Sequence, residues 1–71
     1  MIISVNAEQL EVDDRTTVAA LLQSLGYPDR GIAVAVDQAV LPRSAWATRL
    51  SALAVPSQPV RLEVVTAVQG G

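Results

Sequence analysis

The sequence contains no cysteine, histidine, lysine or phenylalanine, and its only large aromatic residues are Tyr27 and Trp46. The lack of cysteine excludes disulfide bonds and thiolate zinc sites. The lack of histidine and lysine removes the usual general base at neutral pH, the usual metal ligand and the amine that forms Schiff bases. An independent enzyme would therefore depend on carboxylates, hydroxyls and arginine.

The charge and hydropathy of the sequence argue against nucleic acid and membranes as partners. Seven acidic residues outnumber five arginines, and no basic stripe is present to neutralise phosphates, so nucleic acid is not an expected partner. No apolar run approaches the ~20 residues of a membrane span, and residues 1–6 lack a basic start. We expect a cytoplasmic protein that is unprocessed at its N-terminus, does not contact membranes and is monomeric when free.

Two pairs of short β-rich runs indicate two hairpins. Polar breaks, residues 6–9 and Asp37-Gln38, separate the members of each pair. The paired runs are residues 2–5 with 10–12, and residues 32–36 with 39–41.

An amphipathic helix is predicted between these hairpins, over residues 17–25. Thr16 or Thr17 is suited to cap its start. Gly26 and Pro28 follow in the usual order of stop signals. The apolar stripe at positions i, i+3, i+4 and i+7 consists of Val18, Leu21, Leu22 and Leu25.

The remaining elements complete an α+β fold. Residues 44–48 predict a short helical turn that lays Trp46 against the core, and residues 56–59 predict a turn. Residues 60–65 alternate as a half-buried strand does. The order of elements is that of a β-grasp (ubiquitin-like) fold, with a mixed sheet of four to five strands, one main helix and a short helical turn.

We expect a β-grasp domain over residues 1–66 and a flexible tail over residues 67–71. The glycines at the end are typical of a frayed terminus. They also lack β-carbons, so an extended tail could enter a narrow channel in a partner and present the Gly71 carboxylate. A partner could convert that carboxylate to an acyl adenylate with ATP, and a sulfur nucleophile could then displace AMP to leave a thiocarboxylate. The terminal glycines thus fit both a frayed chain end and a reactive tail that enters a partner.

Three segments carry a family resemblance: Val64 to Gly71 (VVTAVQGG), Leu41 to Trp46 (LPRSAW) and Thr17-Val18. The sequence resembles the ThiS family of bacterial sulfur carriers in thiamine biosynthesis over almost its whole length. The glycine end is common to all ubiquitin-like carriers, whereas the Pro-Arg-Ser-x-Trp segment is more characteristic of this family. Residues 56–59 depart from the acidic-Gly-acidic turn that is common there.

The resemblance implies a carrier and co-substrate rather than an enzyme. An E1-like adenylating enzyme of the ThiF or MoeB type would adenylate Gly71, and a donor such as a cysteine desulfurase persulfide would supply the sulfur. The resulting thiocarboxylate would donate sulfur to thiazole synthase of the ThiG type. Gly70 and Gln69 would form the tail before the reactive residue. The chain itself would bind no cofactor, and the partner enzyme would use the ATP.

Apolar residues near the last strand's end predict a partner contact formed by Val65, Ala67 and Val68, because monomers rarely leave such surface exposed. The segment containing Pro42, Arg43 and Trp46 could also dock a partner, although a buried tryptophan beside an exposed arginine is the favoured interpretation. Glu11, Asp13 and Asp14 could form a hard-metal site, but a solvated loop is favoured.

Three alternative functions remain open for the sequence. A sulfur carrier of molybdopterin synthesis would share the fold and the tail chemistry. A ubiquitin-like binding module would use its sheet for protein contacts and have an inert tail. Conjugation of an activated Gly71 to a lysine of another protein is a third possibility.

Overall fold

The computed structural model describes residues 1–28, 30–55 and 58–66. Its strands form a five-stranded mixed sheet in the order β2-β1-β5-β3-β4, in which β1 and β5 are parallel and the other neighbours antiparallel. This arrangement confirms the predicted α+β, β-grasp fold. The elements are β1 (Ile2–Val5), β2 (Glu8–Glu11), α1 (Val18–Ser24), β3 (Ile32–Val36), β4 (Ala39–Leu41), a 3-10 turn (Arg43–Ala45), α2 (Leu50–Leu53) and β5 (Val60–Thr66).

Both hairpins close through two-residue turns. Asn6 and Ala7 have φ values of 51° and 70°, and Asp37 and Gln38 have φ values of 50° and 73°. Positive φ at both central positions is the signature of a type I′ turn, whose twist matches that of the flanking strands. The second turn lies where the sequence predicted it.

The break predicted over residues 6–9 is too long, because Glu8 and Gln9 already belong to β2. Glu8 is the register partner of Val5, and Gln9 is the partner of Ser4. Backbone groups make this ladder, so polar side chains on an exposed edge strand do not prevent pairing.

Helix α1 is confirmed, and its ends follow from local chemistry. The Thr17 hydroxyl accepts a hydrogen bond from the Ala20 N–H at 3.1 Å, which caps the first turn. Leu25 is the C-terminal cap, and Gly26 follows with φ of +86°, a conformation that favours glycine.

The core lies between α1 and one face of the sheet. Three positions of the predicted helical stripe are buried, whereas Leu25 at the helix end remains 41% exposed. Strand β5 alternates as predicted, with inward positions buried and outward positions exposed. The buried core residues are Ile3, Val5, Val18, Leu21, Leu22, Val34, Trp46, Leu50, Val60, Leu62 and Val64.

The segment between β4 and β5 contains more helix than the sequence predicts. The helical turn expected over residues 44–48 is a 3-10 turn over Arg43–Ala45, and Trp46 follows it as the cap. Helix α2 was missed because four residues are too few to show helical periodicity. Its Leu50 is fully buried and donates its N–H to the Thr16 carbonyl at 2.8 Å, so tertiary contacts fix this short helix.

The predicted turn over residues 56–59 falls partly outside the described residues, since Pro56 and Ser57 are not among them. On either side of these two residues, Val55 and Gln58 form an isolated antiparallel bridge. Among the helices of the described segments, none is long and apolar enough to cross a membrane.

We expect Leu62→Ala to lower the free energy of unfolding by about 2–5 kcal/mol, because it opens a cavity beneath a fully buried position in the central strand. The measurement is urea-induced unfolding followed by circular dichroism. Val40→Ala is the control: this side chain is 75% exposed, and its removal should change the free energy by no more than about 0.5 kcal/mol. Equal losses in the two variants would contradict the assignment of the core to the helix-facing side.

Candidate functional site

The site is built around the C-terminal end of β5. Strand β1 ends at Val5, whose partner is Leu62, whereas β5 continues to Thr66. On its other side β5 remains paired with β3 up to the pair Ile32 and Thr66. Strand β5 therefore ends at Thr66, at one end of the sheet, and residues 67–71 follow it in sequence.

Next to this end, the sheet face that points away from α1 carries an apolar surface. Val65 is 63% exposed and is the register partner of Ala33. Val40 is 75% exposed and is the partner of Ala35 on the same face. We call Ala33, Ala35, Val40 and Val65 the open-face patch. It spans β4, β3 and β5, and its Val65 directly precedes Thr66, the last residue of β5.

Val65, one of the predicted contact residues, is exposed and directly precedes the last residue of β5. The other predicted site residues are Ala67, Val68, Gln69, Gly70 and Gly71, and they lie outside the described residues. The partner contact and the reactive terminus therefore remain predictions.

Polar side chains cover the other half of the same face. Arg61 and Glu63 point outward from β5, and Arg61 is the register partner of Ser4 on β1. Together with Gln9 and Pro59 they line a shallow depression. The open face is consequently apolar at Val65 and across β3 and β4, and it is charged along β5 from Glu63, the register partner of Ala35, back to Arg61.

The opposite side of the domain carries Trp46 and Arg43. Trp46 is 9% exposed, and its indole N–H donates to the Leu41 carbonyl at 3.3 Å. The Arg43 guanidinium carbon lies 5.6 Å from the centre of the indole ring, within cation–π distance. These contacts support the structural interpretation of this segment. A cleft of about 590 Å³ between α1 and the 3-10 turn is lined by Ala19, Leu22, Gln23, Tyr27, Pro28, Arg43, Trp46 and Ala47.

The acidic loop after β2 has local structural contacts. An Asp13 carboxylate oxygen accepts a hydrogen bond from the Arg15 N–H at 2.7 Å. A carboxylate oxygen of Asp14 lies 3.5 Å from the amino terminus at Met1. Within residues 1–28, 30–55 and 58–66, no three acidic residues are grouped closely enough to hold a metal ion.

The model of the ThiS family matches residues 3–71, so the match covers the sheet, the helices and the terminal glycines. The chain belongs to the ThiS family. A comparison with curated protein sequences gives no match. ThiS-family membership makes this chain a ubiquitin-like sulfur carrier, in a family of small carrier proteins rather than catalysts. It also implies interaction with an E1-like adenylating enzyme and with sulfur-transfer partners.

The sequence predicted Val65 as a contact residue but did not point to Ala33, Ala35 and Val40, which lie beside it on the open face. Their contribution depends on the register of β3 against β5 and β4, which pairs residues far apart in sequence. One signal was available: in β3 the larger residues alternate with the two alanines. Such alternation indicates that the alanine face is the one without a helix above it.

We expect Val65→Asp to weaken binding to the E1-like enzyme by about tenfold or more, because it would place an unpaired charge in an apolar contact. Isothermal titration calorimetry with the purified enzyme measures the affinity. Ile2→Asp is the matched control: Ile2 is 53% exposed on the same face, but lies at the opposite end of the sheet. Equal weakening by both variants would argue against a contact localised at the open-face patch.

Proposed function

We propose that this ThiS-family chain carries sulfur on the carboxylate of Gly71 for formation of the thiazole ring of thiamine. The observation that carries the proposal is the extent of the family match, which includes Gly71 itself. The path of β5 is consistent with the proposal, because this central strand continues to Thr66, beyond the end of β1. Five further residues, if extended, reach roughly 16 Å, which is enough to enter a partner's active site.

The chemistry requires activation because a carboxylate is a poor electrophile. A Gly71 carboxylate oxygen attacks the α-phosphorus of ATP, pyrophosphate leaves, and an acyl adenylate forms. The outer sulfur of the donor's persulfide then adds to the terminal carbonyl, and AMP leaves with the oxygen that was attached to phosphorus. A thiol next attacks the inner sulfur of the resulting acyl disulfide, forms a disulfide with the donor, and leaves the outer sulfur on the carbonyl; free sulfide gives the same product in one step. The product is a thiocarboxylate, in which one carbon–oxygen bond has been replaced by a carbon–sulfur bond. The carrier contributes the acyl group, and the partner enzyme binds the ATP.

The arrangement of the domain is consistent with two separate roles, in which the sheet binds a partner and the terminal residues react. The open-face patch gives a partner an apolar surface beside the end of β5. Docking there would hold the domain while the tail reaches inward, so the reacting carboxylate is delivered at high effective concentration. The proposed partners are an adenylating enzyme of the ThiF or MoeB type, a persulfide-bearing sulfur donor, and thiazole synthase of the ThiG type as acceptor.

The first test is the intact mass of the protein after incubation with ATP, a sulfide source and the E1-like enzyme. We expect a gain equal to the mass difference between sulfur and oxygen. The matched control is the protein lacking Gly71, which keeps the same domain and a terminal Gly70 but should gain nothing. No gain in the full-length protein, with an enzyme shown to be active on another carrier, would contradict the proposal and favour an inert tail.

The pathway is tested by offering the sulfur-loaded protein to two acceptors. We expect sulfur transfer in the presence of thiazole synthase and its substrates, measured as loss of the added mass. The corresponding molybdopterin synthase subunit with its pterin substrate is the comparison. Transfer only to the pterin would contradict the thiamine assignment while leaving the carrier chemistry intact.

A further inference from the structure

Asn6 holds the end of β5 through its side chain. Its amide oxygen accepts a hydrogen bond from the Val64 N–H at 2.8 Å, and its amide nitrogen donates to the Val64 carbonyl at 3.3 Å. Its backbone N–H donates to the Leu62 carbonyl at 3.0 Å. Asn6 therefore binds the backbone of two alternate residues, Leu62 and Val64, on the edge of β5 that faces β1.

These bonds extend the ladder beyond the end of β1. Val5 is the last residue of β1, and the chain turns away at Asn6 with φ of +51°. A carboxamide presents a carbonyl oxygen and an N–H in the same plane, as a peptide group does. The side chain of Asn6 thus supplies to Val64 the acceptor and the donor that the backbone of a longer β1 would have supplied.

Helix α1 supports the same amide through Tyr27. The Asn6 amide nitrogen lies 3.3 Å from the Tyr27 hydroxyl oxygen, to which it donates. The Tyr27 N–H in turn donates to the carbonyl of Leu22, a buried residue of α1, at 3.0 Å. A continuous set of hydrogen bonds therefore connects the helix to Val64, two residues before the strand ends.

Turn formation alone does not account for these contacts. Asp37 holds the equivalent place in the second hairpin, with φ of 50° and a backbone N–H that donates to the Arg61 carbonyl at 3.2 Å. In the described part of the chain, the Asp37 side chain makes no hydrogen bond comparable to the pair that joins Asn6 to Val64. The two turns are alike in backbone, and the side-chain clamp belongs to the first alone.

We propose that Asn6 is a positioning residue for the carrier reaction, because its amide fixes the end of β5, to which residues 67–71 are joined in sequence. This inference rests on the proposed function of Gly71. Without the clamp, only the pairing with β3 would hold residues 63–66, so this end of β5 would open more often. Each opening back to Leu62 would let the segment that precedes the Gly71 carboxylate begin at residue 63 instead of residue 67. Since effective concentration falls roughly as the −3/2 power of segment length, in this opened form the docked carboxylate would reach the partner's active site about two- to threefold less often.

Asn6→Gly isolates the side chain, because glycine adopts the positive φ of this turn without strain. We expect this variant to lower kcat for adenylation by the E1-like enzyme, by up to about threefold if the end of β5 opens fully. The KM for the carrier should change little, because the open-face patch is intact. Asn6→Asp keeps an acceptor for the Val64 N–H but has no donor for its carbonyl, so we expect an intermediate kcat.

Asp37→Gly is the matched control, since it makes the same change at the equivalent turn position on the other side of β5. We expect it to leave kcat unchanged at a temperature well below the unfolding midpoint of both variants. Equal effects of Asn6→Gly and Asp37→Gly on kcat would reduce Asn6 to a structural role and overturn the inference.

Hydrogen exchange of the free protein provides a readout that does not depend on the function. In Asn6→Gly the Val64 amide should exchange faster, after correction for global opening with the Leu21 amide of α1, which donates to the Thr17 carbonyl at 3.0 Å. An unchanged Val64 amide would overturn the inference. Failure of the wild-type chain to become adenylated would contradict the proposed function instead, and the exchange measurement would still decide whether Asn6 holds the end of β5.

Discussion

The pairing of β5 between β1 and β3 is the constraint on which the structure depends. This last strand is central in the sheet, although its two neighbours come from different hairpins far apart in sequence. Both hairpins must be formed before β5 gains partners on both edges, so the contacts that complete the core are non-local. The same pairing extends β5 to Thr66, so the contacts that stabilise the domain also fix the residue to which residues 67–71 are joined.

Strand alternation gives β5 two distinct roles. Val60, Leu62 and Val64 face the helix and contribute to the core, whereas Val65 faces outward beside Ala33. One strand thus supplies both the buried surface that stabilises the domain and the exposed surface suited to a partner. A shift of the register by one residue would exchange these faces, so fold and function rest on the same hydrogen-bond ladder.

The lack of histidine, lysine and cysteine is consistent with a carrier whose reactive group is a backbone terminus. The described surface beside the end of β5 offers apolar side chains for contact, and the chemistry proposed for Gly71 needs no side-chain nucleophile. In this interpretation three geometric features matter. They are a face that docks a partner, a fixed end of β5, and a terminal segment long enough to reach the partner's active site. Asn6 belongs to this geometry because its side chain continues a ladder that β1 leaves unfinished.

The sequence by itself determined the features that depend on neighbouring residues. These are the turn at Asp37-Gln38, the cap at Thr17, the stop at Gly26 and the alternation of β5, because each follows from local backbone preference or side-chain periodicity. The resemblance in the last eight residues and the segment around Trp46 also indicated the family that the match over residues 3–71 establishes.

Tertiary structure alone decided which distant residues meet. Glu8 and Gln9 became strand because β1 offered them backbone partners, and Leu50 became helical because it is held against Thr16. Sequence spacing carries no record of register between strands, so it gave no indication that Ala33 adjoins Val65. Nor did it indicate that Asn6, in a turn, binds Val64, which lies 58 positions away. That contact exists because β1 ends at Val5 beside β5, which continues to Thr66.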